Sequence, residues 1–130
     1  MGLEDRMNTK VGLLSGGQRQ VVTLLMCTLV PPKLLLLDEH TAALDPATSE
    51  KIMEITNDIV QKHHLTTMMI THNLNSALTT GSRTIMMDRG SIILDITSEI
   101  RAKMNLDDLL YLYSQKSHKV FDNDRMLLTR

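Results

Sequence analysis

The sequence has little of what marks a disulfide-rich, metal-cluster or nucleic-acid-binding protein. Cys27 is the only cysteine in 130 residues, which excludes a disulfide framework and a multi-cysteine metal site and favours a reducing compartment. The chain mixes 14 basic with 15 acidic residues for a formal net charge of −1. The chain therefore has no strong electrostatic field of one sign that would attract nucleic acid or a membrane surface. We expect any anion to be bound locally, and we expect no nucleic-acid partner.

Long apolar runs are also missing. The most apolar stretch, residues 21–37, is interrupted by Pro31, Pro32 and Lys33, whereas a membrane-spanning helix needs about 18 or more consecutive apolar residues. Residues 1–10 are polar and charged, unlike a secretory signal. With 42% hydrophobic residues, the chain can form one modest core. These features predict one domain or one piece of a domain over residues 1–130, in the cytoplasm.

The first part of the chain alternates between predicted helices and strands. Apolar residues cover most of the helix surface of residues 15–29, which predicts a largely buried helix. The apolar run at residues 34–37 predicts a strand covered on both faces, as parallel strands are. Asp45-Pro46 predicts the start of a helix that runs to about residue 63, and residues 66–71 predict a second buried strand. This order indicates an α/β fold with a right-handed parallel crossover.

The second part predicts a hairpin followed by a helix. Residues 84–87 and 92–96 have the composition of two strands, joined through Arg89-Gly90, where glycine can adopt the positive φ of a tight turn. Asn105 precedes apolar residues at helical spacing, which predicts a capped amphipathic helix. The stretch after Ser117 shows no clear period.

The segment Ser15-Gly16-Gly17-Gln18 allows two interpretations. Its S-x-x-Q form is that of a capping box, in which the serine and glutamine side chains satisfy free amides at a helix start. A capping box does not require Gly16 and Gly17, and each glycine in a helix costs about 1 kcal/mol relative to alanine. A helix start with bare amides carries partial positive charge and suits an anion such as phosphate. The segment is therefore either a structural cap or a phosphate contact.

Polar residues follow both predicted parallel strands. Asp38 and Glu39 end the first strand and His72 follows the second, so all three should share the carboxyl edge of the sheet, where α/β folds bind ligands. Asp38 suits Mg²⁺, which is usually held by one or two carboxylates plus substrate phosphates. Glu39 suits orientation or deprotonation of an attacking water. Each residue also has a structural explanation, since acids begin many surface loops, lone histidines are common on surfaces, and Asp45 is a helix N-cap.

Taken in order, these segments resemble the ATP-binding cassette (ABC) ATPases. The matching motifs are LSGGQ (Leu14 to Gln18) for the signature, LLLLDE (Leu34 to Glu39) for the Walker B strand, ALD (Ala43 to Asp45) for the D-loop and TH (Thr71, His72) for the switch histidine. The MMDRGSI segment extends the resemblance to about residue 96. The resemblance implies a partial P-loop NTPase fold, mainly of parallel strands with crossover helices, completed by the hairpin and the last helix.

The resemblance also implies roles for individual residues. In this family two cassettes enclose two ATP molecules head to tail, and the signature segment of one contacts the γ-phosphate bound by the other. By resemblance, the residues that contact this nucleotide are Leu14, Ser15, Gly16, Gly17 and Gln18, with Ser15 as a hydrogen-bond donor. The remaining roles are Mg²⁺ binding through water for Asp38, action on the hydrolytic water for Glu39, sensing of the γ-phosphate for His72, and coupling of the two sites for Asp45.

The sequence departs from the family pattern in its first part. The G-x-x-x-x-G-K-[ST] loop, whose amides wrap the phosphates, is missing. The spacing of Gly12 and Gly17 matches it, but Gln18-Arg19 stands where lysine and serine or threonine are required. The chain thus resembles the carboxyl-terminal half of a cassette, and we expect it to need the missing half or a partner chain to bind ATP and Mg²⁺. Without the P-loop strand, we expect unpaired strand edges and exposed apolar faces. A second departure is His40, where many members carry proline.

The function implied by the resemblance is that of an ATP-hydrolysing transporter subunit, nearest to bacterial uptake cassettes. Such a subunit pairs with a second ABC ATPase subunit and with transmembrane permease subunits, and it lies at the inner face of the cell membrane. Two alternatives remain open. One is a soluble ABC ATPase of DNA repair or translation, although those generally carry coiled-coil insertions, duplicated cassettes or basic patches. The other is a non-catalytic module that completes a partner's site.

Overall fold

A parallel pair of strands forms the centre of the first of two compact units, Met1–His72 and Asn73–Arg130. This computed structural model describes residues 2–127, and their side chains as far as residue 116. Strands β1 (Leu35–Asp38) and β2 (Thr67–Ile70) pair in parallel register, with Leu36 opposite Met68. Helix α2 (Pro46–Lys62) connects the two strands, and α1 (Gly16–Thr28) precedes them. The predicted parallel strand–helix–strand order is confirmed.

Both helices of the first unit begin at the predicted caps. Ser15 Oγ accepts a hydrogen bond from the Gln18 amide at 3.2 Å, and Gln18 Oε1 accepts one from the Ser15 amide at 3.1 Å. Asp45 Oδ1 accepts from the Thr48 amide at 3.0 Å, with Pro46 at the first helical position. Both caps satisfy amides that have no partner within the helix.

The core of the first unit lies between the strand pair and its two helices. It contains Leu24, Leu35, Leu37 and Leu65, with Ile55, Ile59, Val60 and Met69 packed against them. Both helices contribute to this one cluster, so they cover the same face of the strands. The opposite face is exposed, at 65% for Leu36, 56% for Met68 and 53% for Ile70.

Two predictions about burial are therefore wrong. β1 is not covered on both faces, because no other element among residues 2–127 packs on the outer face within this unit. α1 is not largely buried either, since Leu25, Met26 and Leu29 are exposed and only its inner face meets the core. The exposed strand face agrees with the expectation drawn from the missing P-loop strand.

The second unit is built on the predicted hairpin. Strands β3 (Arg83–Asp88) and β4 (Ser91–Thr97) pair antiparallel. They are joined by Arg89 at φ 47° and Gly90 at φ 78°, the two positive values that a tight hairpin turn requires. Helix α5 (Leu106–Leu127) follows, with Asn105 Oδ1 accepting from the Asp108 amide at 2.9 Å. Hairpin and capped helix are both confirmed, and the helix continues past Ser117, where the sequence pattern gave no prediction.

Two short helices of the second unit were not predicted, α3 (Leu74–Thr79) and α4 (Ser98–Arg101). The core of this unit contains Leu94, Ile96 and Leu109, with Leu74, Leu78, Met86, Met104 and Leu112 packed against them. Across residues 2–127, none of the helices has the length and apolar character needed to cross a membrane.

Candidate functional site

The structure brings Glu39 and His72 together at the carboxyl end of the parallel strands. The Glu39 amide donates to the Ile70 carbonyl at 3.0 Å, which adds one rung to the ladder beyond β1. His72 Nε2 lies 2.7 Å from Glu39 Oε1, with side chains 86% and 36% exposed, respectively. The expected shared edge is thus confirmed for these two residues. The carboxylate and the imidazole are in contact at the carboxyl end of the strands. Groups of these two kinds can accept protons from a bound molecule or donate protons to it.

Glu39 adopts an unusual backbone conformation. Its φ is 45°, in the left-handed region that residues with a Cβ rarely occupy, and such a conformation costs about 1 kcal/mol or more. The Glu39 carbonyl accepts from the Ala42 amide at 2.9 Å, so the chain turns back directly after the strand. Strain of this kind is often found where a side chain must be aimed at a ligand.

The loop after Glu39 is anchored at its far end by α2. Ser49 Oγ donates to the Thr41 carbonyl at 3.1 Å.

Hydrogen bonds from the Thr48 side chain and amide hold the pKa of Asp45 below its ordinary value, so the cap is ionised near neutral pH. The Asp45 side chain is exposed, and its role between two nucleotide sites remains a prediction.

His40 has a partner that the sequence did not reveal. Its Nε2 lies 3.1 Å from Thr56 Oγ1 on α2, and burial lowers the pKa of the ring below its ordinary value. His40 stood out in the sequence only as a departure from the family's usual proline. Nothing in the local pattern indicated a bond to a residue 16 positions away.

The signature segment is less open than predicted. Ser15 and Gly16 are exposed and Gln18 is half-buried, but Leu14 and Gly17 are buried. Of the two glycines, Gly16 is open to an approaching phosphate and Gly17 is not. A Cβ at Gly16 would lie 3.3 Å from Leu44 Cδ2, so this glycine also permits a close approach of the loop before α2.

Asp38 is exposed at the end of β1, in register with Ile70. Among the residues that the structure describes, no three side chains converge as a complete metal site. Asp38 and Glu39 nevertheless fit the family's Mg²⁺, because that ion commonly takes only one or two carboxylates and completes its shell with water and phosphate oxygens.

Comparison with known proteins agrees with this geometry. The ABC transporter family profile matches residues 1–42. A tyrosine transport ATP-binding protein of Clostridioides difficile is 46% identical over 110 residues, which cover 85% of this chain and 44% of that protein. These matches identify the chain as part of a protein of the ABC ATPase family. An aliphatic sulfonates import ATP-binding protein of Agrobacterium fabrum is 36% identical over 100 residues, which cover 77% of this chain and 39% of that protein.

A solved ABC structure shares the fold. It is described as a metal-chelate type ABC transporter in an inward-facing conformation, and it matches with a TM-score of 0.68 and 26% identity over 82% of this chain and 41% of its own. The predicted α/β fold, part of a P-loop NTPase, is therefore confirmed. This ABC chain spans less than half the length of the relatives that it matches.

Proposed function

We propose that this chain is the part of an ABC transporter's ATP-hydrolysing subunit that supplies the signature segment, the Walker B carboxylates and the switch histidine. The contact between Glu39 and His72 at 2.7 Å supports this most directly. A general base must be held within hydrogen-bond reach of its proton and oriented by a second group. Glu39 has both a fixed backbone position and an imidazole partner.

In this proposal Glu39 accepts a proton from the attacking water. The water oxygen forms a bond to the γ-phosphorus while the bond to the ADP oxygen breaks. A hydrogen on His72 Nε2 would be donated to the Glu39 carboxylate and orient it, and the imidazole would sense the γ-phosphate of bound ATP. Asp38 would hold Mg²⁺ through water, and the ion would neutralise phosphate charge.

The 130 residues contain no G-x-x-x-x-G-K-[ST] loop, so ATP and Mg²⁺ require that loop from another polypeptide segment. Ser15 and Gly16 would contact the γ-phosphate of a second ABC ATPase subunit in a head-to-tail dimer, and Asp45 would couple the sites. Transmembrane permease subunits would place the assembly peripherally at the cytoplasmic face of the membrane. Two relatives are a tyrosine transport protein and an aliphatic sulfonate importer, which supports uptake of a small solute.

Glu39→Gln tests the proposed chemistry, because it keeps the shape of the side chain and removes the base. In a complete cassette that contains this sequence, we expect turnover to fall about 10²-fold or more, the size of general-base contributions. Glu50→Gln, an exposed change on α2, is the matched control. Normal turnover in the Glu39 variant would remove the residue from this role.

A second candidate is a non-catalytic module that completes the site of a partner. The exposed positions of Ser15 and Gly16 at the start of α1 favour it. We expect the chain to raise hydrolysis by a cassette that carries the lysine loop, and Ser15→Arg to abolish the gain through its bulk. Thr23→Arg, exposed further along the same helix, should keep it. A gain that survives Ser15→Arg would discard this candidate.

A further inference from the structure

The histidine after Glu39 is tied to the interior of α2 by a directed hydrogen bond. Thr56 is 3% exposed, and its Oγ1 donates to the Ile52 carbonyl at 2.8 Å. Because a hydroxyl has a single hydrogen, the same oxygen must accept from His40 Nε2 at 3.1 Å. The hydrogen of the imidazole is therefore on Nε2, and the ring is fixed in one orientation.

This bond lies next to the strained residue of the site. Glu39 leaves β1 with its amide bonded to Ile70 and its φ at 45°. The next residue, His40, determines the direction of the chain after that turn, and its hydrogen bond holds the chain against α2. A proline at the same position would restrict its own φ but could make no such bond.

We propose that His40 is a positioning residue, whose bond to Thr56 holds the loop against α2 and keeps Glu39 in the left-handed conformation that aims its carboxylate at His72. The inference deepens the proposed function and rests on it, since the placement of Glu39 matters for hydrolysis only if Glu39 acts on water. The placement itself can be measured without nucleotide.

Amide hydrogen exchange of the full 130-residue chain tests the placement. His40→Ala and Thr56→Val should each speed exchange at the Glu39 and Ala42 amides about tenfold, the effect expected for losing one hydrogen bond. The amide of Leu24, within α1, should keep its rate. The double variant should add little to either single change, because both remove the same bond. His40→Gln, which can still donate, should restore much of the protection, and His63→Ala, an exposed histidine, should change nothing at Glu39.

Two results would overturn the proposal. One is unchanged exchange at Glu39 in both single variants. The other is an equal rise at Leu24, which would show that the bond only stabilises the whole unit. In a complete cassette, His40→Ala should lower kcat with little change in the KM for ATP, and His40→Gln should recover kcat. If exchange responds as expected while Glu39→Gln hydrolyses ATP normally, the proposed function fails and the placement of the loop still stands.

Discussion

Arg101 shows how much of the second unit depends on one residue. Its side chain is buried at 7% exposure. The guanidinium donates to the carbonyls of Leu78 at 3.1 Å, Thr80 at 2.8 Å and Gly81 at 2.8 Å. These carbonyls lie at and just beyond the end of α3, where a helix has acceptors without partners and partial negative charge. Arg101 thus fixes the approach to β3.

Because Arg101 makes these hydrogen bonds, we expect Arg101→Met to lower the free energy of unfolding of the second unit by about 3 kcal/mol. Methionine fills the space but leaves several buried carbonyls without donors, each of which costs about 1–3 kcal/mol when fully desolvated. Urea denaturation would measure the loss. Lys103→Met, an exposed change two residues away, should stay within about 0.5 kcal/mol. Equal losses in both variants would contradict the capping role of Arg101.

Among the elements, the hairpin carries a cross-strand ion pair. Arg83 Nε donates to Asp95 Oδ1 at 2.8 Å, and a second bond joins the same two groups. Hydrogen bonding and charge from Arg83 lower the pKa of Asp95 below its ordinary value of 3.8. The pair therefore stabilises the folded hairpin fully above pH 3.8, and the stabilisation is lost as the pH falls through the lower folded-state pKa.

The measurable consequence is a difference that depends on pH. Asp95→Asn should unfold at lower urea concentration than the unchanged chain near pH 7, and the gap should close as the pH is lowered below 3.8. The pair is solvent-exposed, so the gap should be small and should shrink in high salt. In an Arg83→Met background, Asp95→Asn should have no comparable effect. A gap that persists unchanged into acid would show that Asp95 acts through packing and not through its charge.

Elements with local signals were predictable from sequence, and elements without them were not. Asp45-Pro46, Arg89-Gly90 and Asn105 each act within about four residues, so the helix starts and the turn could be predicted. Asn73 also caps a helix, with its Oδ1 accepting from the Ser76 amide at 3.0 Å, but α3 has only 6 residues and shows no readable period.

In the candidate site, too, the features set by nearby sequence were predictable and those set by long-range packing were not. Glu39 and His72 could be placed together because both follow parallel neighbouring strands, whose ends share one edge. The bonds of His40 to Thr56 and of Arg101 to the end of α3 join residues 16 or more positions apart. Such contacts depend on how elements pack, and no spacing rule predicts them. Burial of Gly17 likewise follows from packing and not from the motif.

For the whole molecule, the main physical problem is the outer face of β1 and β2. Leu36, Met68 and Ile70 form an exposed apolar patch on it, and within residues 2–127 this sheet consists of two strands. Two-stranded sheets are marginal in water, and open edges with apolar faces promote association. We therefore expect the isolated chain to be marginally stable or to pair with another chain. A monomer that melts cooperatively above about 60 °C, the upper end for ordinary mesophilic domains, would contradict this.

Met68→Lys shows whether this face causes association. Met68 is 56% exposed, so a lysine at this position can keep its ammonium group in water. A charge on an open sheet face opposes the pairing and stacking of strands from another chain. In sedimentation velocity experiments at micromolar concentrations, we expect the unchanged chain to show species larger than a monomer and Met68→Lys to shift the distribution towards monomer. Met7→Lys, the same replacement at a residue 85% exposed outside the strands, should leave the distribution unchanged. If both lysine variants dissociate the chain equally, net charge and not the strand face governs association, and the exposed apolar patch loses its proposed consequence.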